Sequence, residues 1–328
     1  MKKEFAQLAH SADINQRYMG WYVSRKLNGW GCIWDGGVTR GMPAEEVPWY
    51  YKGGDGRLSY PVVSTGLWTI GRDNKPKVIF APDWFLNSLP VLMPIQGELW
   101  CNDDLGKVKS ICGQGIKGLN DDRWREIKFQ AYNVKPYVLW KDIRKFVRPH
   151  STQFWVNLSW KYRHDTMLSV LENHIFNNVG EVVSQTKITF KDQLRLFAKT
   201  ALNLGWEGAM IINPFSNYED WRSRNLLKVK PKFDIEAMVL YAEHGKGKHE
   251  GRMGSLVCRV TWDEKVTSFI GGKEKMIGKT VDFGVGGFTD TQRGWDYVQE
   301  HYQQGKDIPI TFLSISRDGV PCSANIKE

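Results

Sequence analysis

Lys26 stands in the run SRKLNGW, at the end of the apolar segment Trp21 to Val23 and just before an Asn-Gly pair that favours a tight turn. A lysine there presents its amine at a bend. Four other segments set polar residues inside apolar runs: Glu98 in QGELW, Tyr132 in FQAYNV, Glu207 in WEGAMI, and both Lys228 and Lys230 in LLKVKP. A hydrophobic core alone does not favour such positions. In LLKVKP, strand alternation puts the two lysines on one face and Leu227 and Val229 on the other. Two like charges so close repel unless an anion lies between them. Each segment also has a plain structural reading. Lys26 could be a solvated hairpin lysine, Lys228 and Lys230 protective edge-strand charges, the glutamates ion-pair partners, and Tyr132 a core aromatic. Five such segments in one chain are harder to explain as independent accidents.

The elements that would position these residues are short and mixed. WYVSRKL, CIWDG, KVIFA, VLMPIQGELW, IKFQAYNV and GAMIIN read as strands between segments of helical character. TFKDQLRLFAKTALNLG is the clearest helix, with apolar residues at positions 194, 196, 197, 201 and 204 and Gly205 as its stop. No evenly repeated βαβ unit is present, so an α+β domain of antiparallel sheets with helices is expected. After residue 230 the pattern changes to short β runs with Gly-rich turns, including SFIGG, TVDFGV and IPITFLSI. Residues 1–230 are therefore expected to form one domain and residues 231–328 a small β-barrel of the OB-fold kind, with the boundary between Val229 and Phe233.

Composition limits the partners. The chain of 328 residues has 45 basic and 36 acidic side chains, a formal charge of +9; residues 231–328 hold 13 and 14 of these, leaving 32 and 22 in residues 1–230. A local excess of that size attracts polyanions. The opening MKKEFAQLAHSADINQ lacks the apolar core of a signal peptide, and no run of eighteen apolar residues follows, so no membrane span or export is expected. Five scattered cysteines, none spaced CxxC, read as reduced cytoplasmic thiols rather than a zinc site or disulfide framework.

Taken in order, these segments resemble the covalent nucleotidyltransferases, the superfamily of ATP-dependent DNA ligases, RNA ligases and mRNA capping enzymes. KLNG resembles the family's KxDG element, and TRG, QGELW, FQAYNV, WEGAMI and LLKVKP match its later motifs. The likeness is strongest to minimal DNA ligases of bacteria and phages, through WDG, APDWF, DIEAMV, GKGKHEGRMGSLVC and GVGGFTDTQR.

The resemblance implies an ATP-dependent DNA ligase that seals a 3′-hydroxyl to a 5′-phosphate in nicked double-stranded DNA, as in replication, repair and recombination. It implies that Lys26 takes AMP from ATP, that the AMP passes to the 5′-phosphate, and that the 3′-hydroxyl displaces it. An ammonium is not a nucleophile, so Lys26 must first give up a proton. Lys228 and Lys230 would neutralise the α-phosphate. Glu98 would bond the ribose, Tyr132 would stack on adenine, and Arg40 would lie near the ribose and nucleic-acid phosphates. Glu98 and Glu207 would help to bind magnesium or manganese. ATP is favoured over NAD because only 25 residues precede Lys26. A monomer in the cytoplasm of a bacterium or of a phage-infected host is expected. The alternatives are an RNA ligase of the same superfamily and a catalytically inactive nucleic-acid-binding relative. The sequence departs from the family pattern at Asn28, where an aspartate is usual, at Gly31, where an arginine commonly follows, and at Gln96, where an aspartate often precedes Gly-Glu. Near the C-terminus, only Lys327 is basic in GVPCSANIKE.

Overall fold

Apolar runs separated by turn residues fold into sheets whose closest approaches are set by glycines. The computed structural model describes residues 5–14, 16–51, 61–70, 75–136, 158–230, 232–264, 276–316 and 318–327. The SFIGG segment, expected as a strand, lies outside the described residues. The chain divides into two compact units, one of residues 1–195 and 209–229, the other of residues 196–208 and 230–328.

The first unit contains, in chain order, β1 (Leu8–Ser11), β2 (Tyr22–Lys26), β3 (Trp30–Trp34), β4 (Leu67–Thr69), β5 (Ile95–Trp100), β6 (Lys128–Val134), β7 (Gly180–Val182), β8 (Thr186–Lys187), β9 (Gly208–Ile212) and β10 (Arg222–Val229). Three helices lie between them, α1 (Asp83–Leu86), α2 (Leu105–Cys112) and α3 (Trp160–Leu171); α4 (Gln193–Asn203) follows β8 in the chain, and its residues from 196 onward belong to the second unit. The strands form two five-stranded sheets, ordered β1-β10-β9-β2-β8 and β4-β3-β5-β6-β7. The pairs β3–β4, β3–β5, β5–β6, β9–β10 and β2–β8 are antiparallel, while β1–β10 and β6–β7 are parallel. The expected α+β class of antiparallel sheets with helices is what the structure has. The helix read around position 197 ends at Asn203, and Gly205 follows with a positive φ of 67°, the left-handed stop that glycine favours.

Large aromatics fill the core of this unit. Trp34, Trp68 and Trp124 are buried, and Phe85 meets Trp124 edge-on at 4.9 Å between ring centroids. Trp34 donates its indole N–H to Pro90 O at 2.7 Å. Trp49 meets Trp68 edge-on at 5.9 Å, whereas Trp84 is exposed and has the Arg125 guanidinium over its ring. Asp35, from the WDG run, is buried under this layer; it accepts from the Thr39 hydroxyl at 2.5 Å and the Trp68 indole at 3.0 Å. Burial pushes its carboxyl up from the ordinary 3.8 to about 6, more strongly than these donors hold it down.

The second unit is built from β11 (Phe233–His244), β12 (Met253–Thr261), β13 (Thr280–Val285), α5 (Trp295–His301), β14 (Asp307–Phe312), β15 (Ser314–Ile315), β16 (Pro321–Cys322) and β17 (Asn325–Ile326). Its main sheet runs β13-β12-β11-β14-β17. Gly286, just past β13, donates to Ala324 O and accepts from Ile326 N, both at 3.0 Å, so the two outer strands meet. This closure gives a small five-stranded barrel of the OB kind. Alternation along β13 is clean, with Val281, Phe283 and Val285 buried and the residues between them exposed. All five cysteines of the chain are free, and among the described residues no helix is long and apolar enough to cross a membrane.

Candidate active site

Lys26 is the last residue of β2, and the chain turns immediately through Asn28 and Gly29 into β3. Gly29 has no room for a side chain: a Cβ there would fall on the Leu99 carbonyl and within 2.9 Å of Glu98 Cγ. Gly29 N donates to Glu98 Oε1 at 2.9 Å, tying the turn after Lys26 to the middle of β5. Gly97 is equally constrained, since a Cβ would meet the Phe129 ring and stand 2.6 Å from Gln130 O. Gly29 thus lets the turn after Lys26 press onto β5, and Gly97 lets β5 press onto β6; Lys26 and Glu98 line one space.

That space is a cavity of about 320 Å³, within the range of roughly 300–1,000 Å³ of small-molecule sites. Lys26, Glu98, Tyr132 and Lys228 line it, with Trp160 and Gln7. Lys228 comes from β10, where it pairs with Met210 of β9 on one side and Ser11 of β1 on the other. Leu227 and Val229 are buried on the opposite face, as alternation requires. Lys26 Nζ also lies 3.4 Å from Leu27 O.

A buried chain of polar groups adjoins the cavity. Tyr218 donates its hydroxyl to Gln96 Oε1. Gln96 Nε2 donates to Gln7 O at 3.0 Å and to the Tyr132 phenol oxygen at 3.3 Å. Asn133 Nδ2 donates to Gln7 Oε1 at 3.2 Å, and Arg163 Nε donates to Asn133 Oδ1 at 3.2 Å. Burial pushes the Tyr132 phenol well above its usual range, and the nearby Glu98 charge adds to the rise. Burial lowers the Arg163 guanidinium to about 10.

The other residues singled out in the sequence lie elsewhere. Glu207 and Lys230 pair with one another at 2.7 Å and do not line the cavity, so the anion beside Lys230 is a carboxylate of the chain itself. Arg40 donates to Asn87 Oδ1 at 2.7 Å and to Asp83 Oδ1 at 2.6 Å, and it too is outside the cavity lining. Sequence reasoning missed Gln7, Trp160 and Asp103. Asp103 forms an ion pair with Arg25, and its main-chain oxygen accepts from Asn28 Nδ2 at 2.8 Å. Only the unusual Asn28 could have signalled that a partner was needed nearby.

The residues present suit a nucleoside triphosphate. Tyr132 and Trp160 line the cavity with Lys26 and Lys228, which supplies aromatic surface for a base and positive charge for a phosphate. No group of three or more His, Cys, Asp or Glu side chains that could hold a metal ion occurs among the described residues. Among the described residues that line the cavity Glu98 is the one carboxylate, and a hard divalent cation held there would need further oxygen ligands from phosphate and water.

A two-sheet unit with a lysine at a strand end, joined in sequence to an OB barrel, has the architecture of the nucleotidyltransferases that form ligases. No protein-family model matches the chain. A DNA ligase of Haemophilus influenzae is 35% identical to it over 248 residues, which are 75% of this chain and 70% of that protein. A solved structure from work on Lig E DNA ligases, 24% identical, superposes with a TM-score of 0.67 and covers 98% of each chain. Another, Pmar-Lig_PreS3, is 16% identical with a TM-score of 0.66 over 100% of this chain and 68% of that one. The chain belongs to the DNA ligase family.

Proposed function

We propose that this DNA ligase uses ATP, carries AMP on Lys26, and seals 3′-hydroxyl/5′-phosphate nicks in duplex DNA. The observation that carries the reading is that Lys26, Lys228 and Glu98, from three different strands, line one cavity with Tyr132. The neutral Lys26 amine attacks the α-phosphorus of ATP; the Nζ–P bond forms, the bond to pyrophosphate breaks, and the amine's proton leaves to solvent. Lys228 neutralises charge developing on the α-phosphate, the electrostatic share of the catalysis. Tyr132 packs against the base and Glu98 bonds the ribose while holding the turn that carries Lys26. The AMP then passes to the 5′-phosphate of the nick, and the 3′-hydroxyl displaces it to form the phosphodiester. Magnesium or manganese, when bound by Glu98 and the phosphates, supplies charge neutralisation. Glu207, the other glutamate read as a metal ligand, would have to exchange its lysine partner for the cation.

The test incubates the full chain with α-labelled ATP and magnesium. An acid-labile protein adduct is expected from the parent and none from Lys26→Ala; an equal adduct in both would overturn the assignment. A sealing assay on nicked DNA, beside nicks with RNA on either side, then reads the substrate directly.

A further inference from the structure

Asp103, three residues beyond β5, has left-handed backbone with φ 58°, and Asn102 before it has φ 46°. Two non-glycine residues in succession at positive φ are uncommon, and each costs stability unless its surroundings require the conformation. Asn and Asp tolerate it best. What the conformation achieves is a convergence of contacts on one residue. Asp103 Oδ2 pairs with the Arg25 guanidinium, Oδ1 accepts from the Trp100 indole at 2.7 Å, and Oδ1 lies 3.4 Å from Asn28 N. The Asp103 main-chain oxygen accepts from Asn28 Nδ2 at 2.8 Å. The Arg25 guanidinium also lies over the Trp100 ring, 5.6 Å from its centroid. One residue thus holds both the neighbour before Lys26 and the residue two places after it.

We infer that Asp103 is a positioning residue for Lys26, fixing the strand end and turn on which the amine is aimed at the α-phosphorus. The inference rests on the reading of Lys26 as the nucleophile. It accounts for the asparagine at 28. Aspartate there could not donate to Asp103 O and would set a second carboxylate against the first, whereas asparagine donates without adding charge. A carboxylate next to the lysine turn is supplied by Asp103, from the far end of β5, and not by the turn itself. The Arg25–Asp103 pair is partly exposed, so its worth to folding is small, and its effect falls on the geometry of the turn.

The experiment measures single-turnover adduct formation at saturating ATP, the KM for ATP, and sealing of a pre-adenylylated nick, all with the full chain. Asp103→Ala is expected to slow adduct formation on the order of 100-fold, the scale of a small misplacement of a reacting group, with KM for ATP close to the parent's. Sealing of the pre-adenylylated nick is expected to fall less. Asp103→Asn keeps the tolerance for left-handed backbone, the main-chain acceptor and the Oδ1 acceptor, and is expected to recover most of the rate. A parent-like rate in Asp103→Ala, or a raised KM with an unchanged saturated rate, overturns the inference. Should Asp103→Ala not fold, the Arg25→Met, Asn28→Leu double variant removes both groups that Asp103 holds, and a parent-like rate there overturns it equally. Lys26→Ala is run alongside: a persistent adduct in that variant defeats the reading of Lys26, whereas an adduct lost there and undiminished in Asp103→Ala defeats only the positioning role.

Discussion

Gln96 donates to the Tyr132 phenol oxygen at 3.3 Å while its own carbonyl accepts from Tyr218, so a single amide joins the cavity's aromatic wall to the polar chain beside it. A carboxylate at this position could accept from Tyr218 but could donate to neither Tyr132 nor Gln7 O. Gln96→Glu is therefore expected to lower stability by about 1–3 kcal/mol for each buried group left unpaired, and to raise the KM for ATP as the Tyr132 phenol has to turn from accepting to donating. Urea unfolding and adduct kinetics check the two effects; parent-like values in both would remove any role for the amide.

Gly29→Ala drives a methyl group onto the Leu99 carbonyl and against Glu98 Cγ. The turn must open, carrying Lys26 away from Glu98. Overpacking of this kind is expected to cost about 1–3 kcal/mol of stability together with most of the adduct formation. An alanine variant that forms adduct at the parent rate would show that the close approach of these strands is dispensable.

Lys228 and Lys230 sit two residues apart but in different surroundings. Lys228 lines the cavity, and the charge of Lys230 is met by Glu207 at 2.7 Å. Lys228→Ala is expected to slow adduct formation by about 10²–10³-fold, the usual loss on removing one preorganised stabiliser of transition-state charge. Lys230→Ala is expected to lose less. Rapid-quench measurement of the two variants under one set of conditions decides, and the reverse order would exchange their roles.

Asp35 gives stability a pH dependence of definite sign. Its folded-state value, raised by burial to about 6 from 3.8, means that the folded chain keeps a proton the unfolded chain has lost. The stabilisation from this group is full below pH 3.8 and is lost as pH rises through about 6, a swing of about 3 kcal/mol. Asp35→Asn keeps an acceptor for Thr39 and Trp68 and removes the titration. Its stability is expected to vary less than the parent's between pH 4 and 7; identical slopes in urea titrations would show that Asp35 does not titrate in this range.

The sequence revealed the site where chemistry and local pattern coincide. Glu98, Tyr132 and Lys228 were visible because each interrupts an apolar run, and Lys26 because it ends one just before an Asn-Gly turn; the structure brings these four to one cavity. Asp103 was not visible. It lies in the turn CNDDLG, whose polar composition is ordinary, and a left-handed backbone leaves no periodic signature. Gln7 and Trp160 were missed for another reason. They reach the cavity through tertiary pairing of distant segments, Gln7 beside the β1–β10 pair and Trp160 at the start of α3, where its N–H donates to Ser216 O at 2.7 Å. The barrel was legible from the change of pattern after residue 230, but its closure at Gly286 depends on which strand ends meet, and hydrophobic alternation does not specify that.

The parallel pairing of β1 with β10 joins residues 8–11 to residues 222–228. Lys228 takes its place in the cavity wall through this pair, and Gln7, at the head of β1, is bonded to Tyr218. During synthesis the first strand therefore waits for more than two hundred residues before its partner leaves the ribosome, and contacts of such long range form slowly. A nascent chain short of residue 229 lacks the complete nucleotide cavity, so adenylylation is expected to begin only after the whole first unit has emerged.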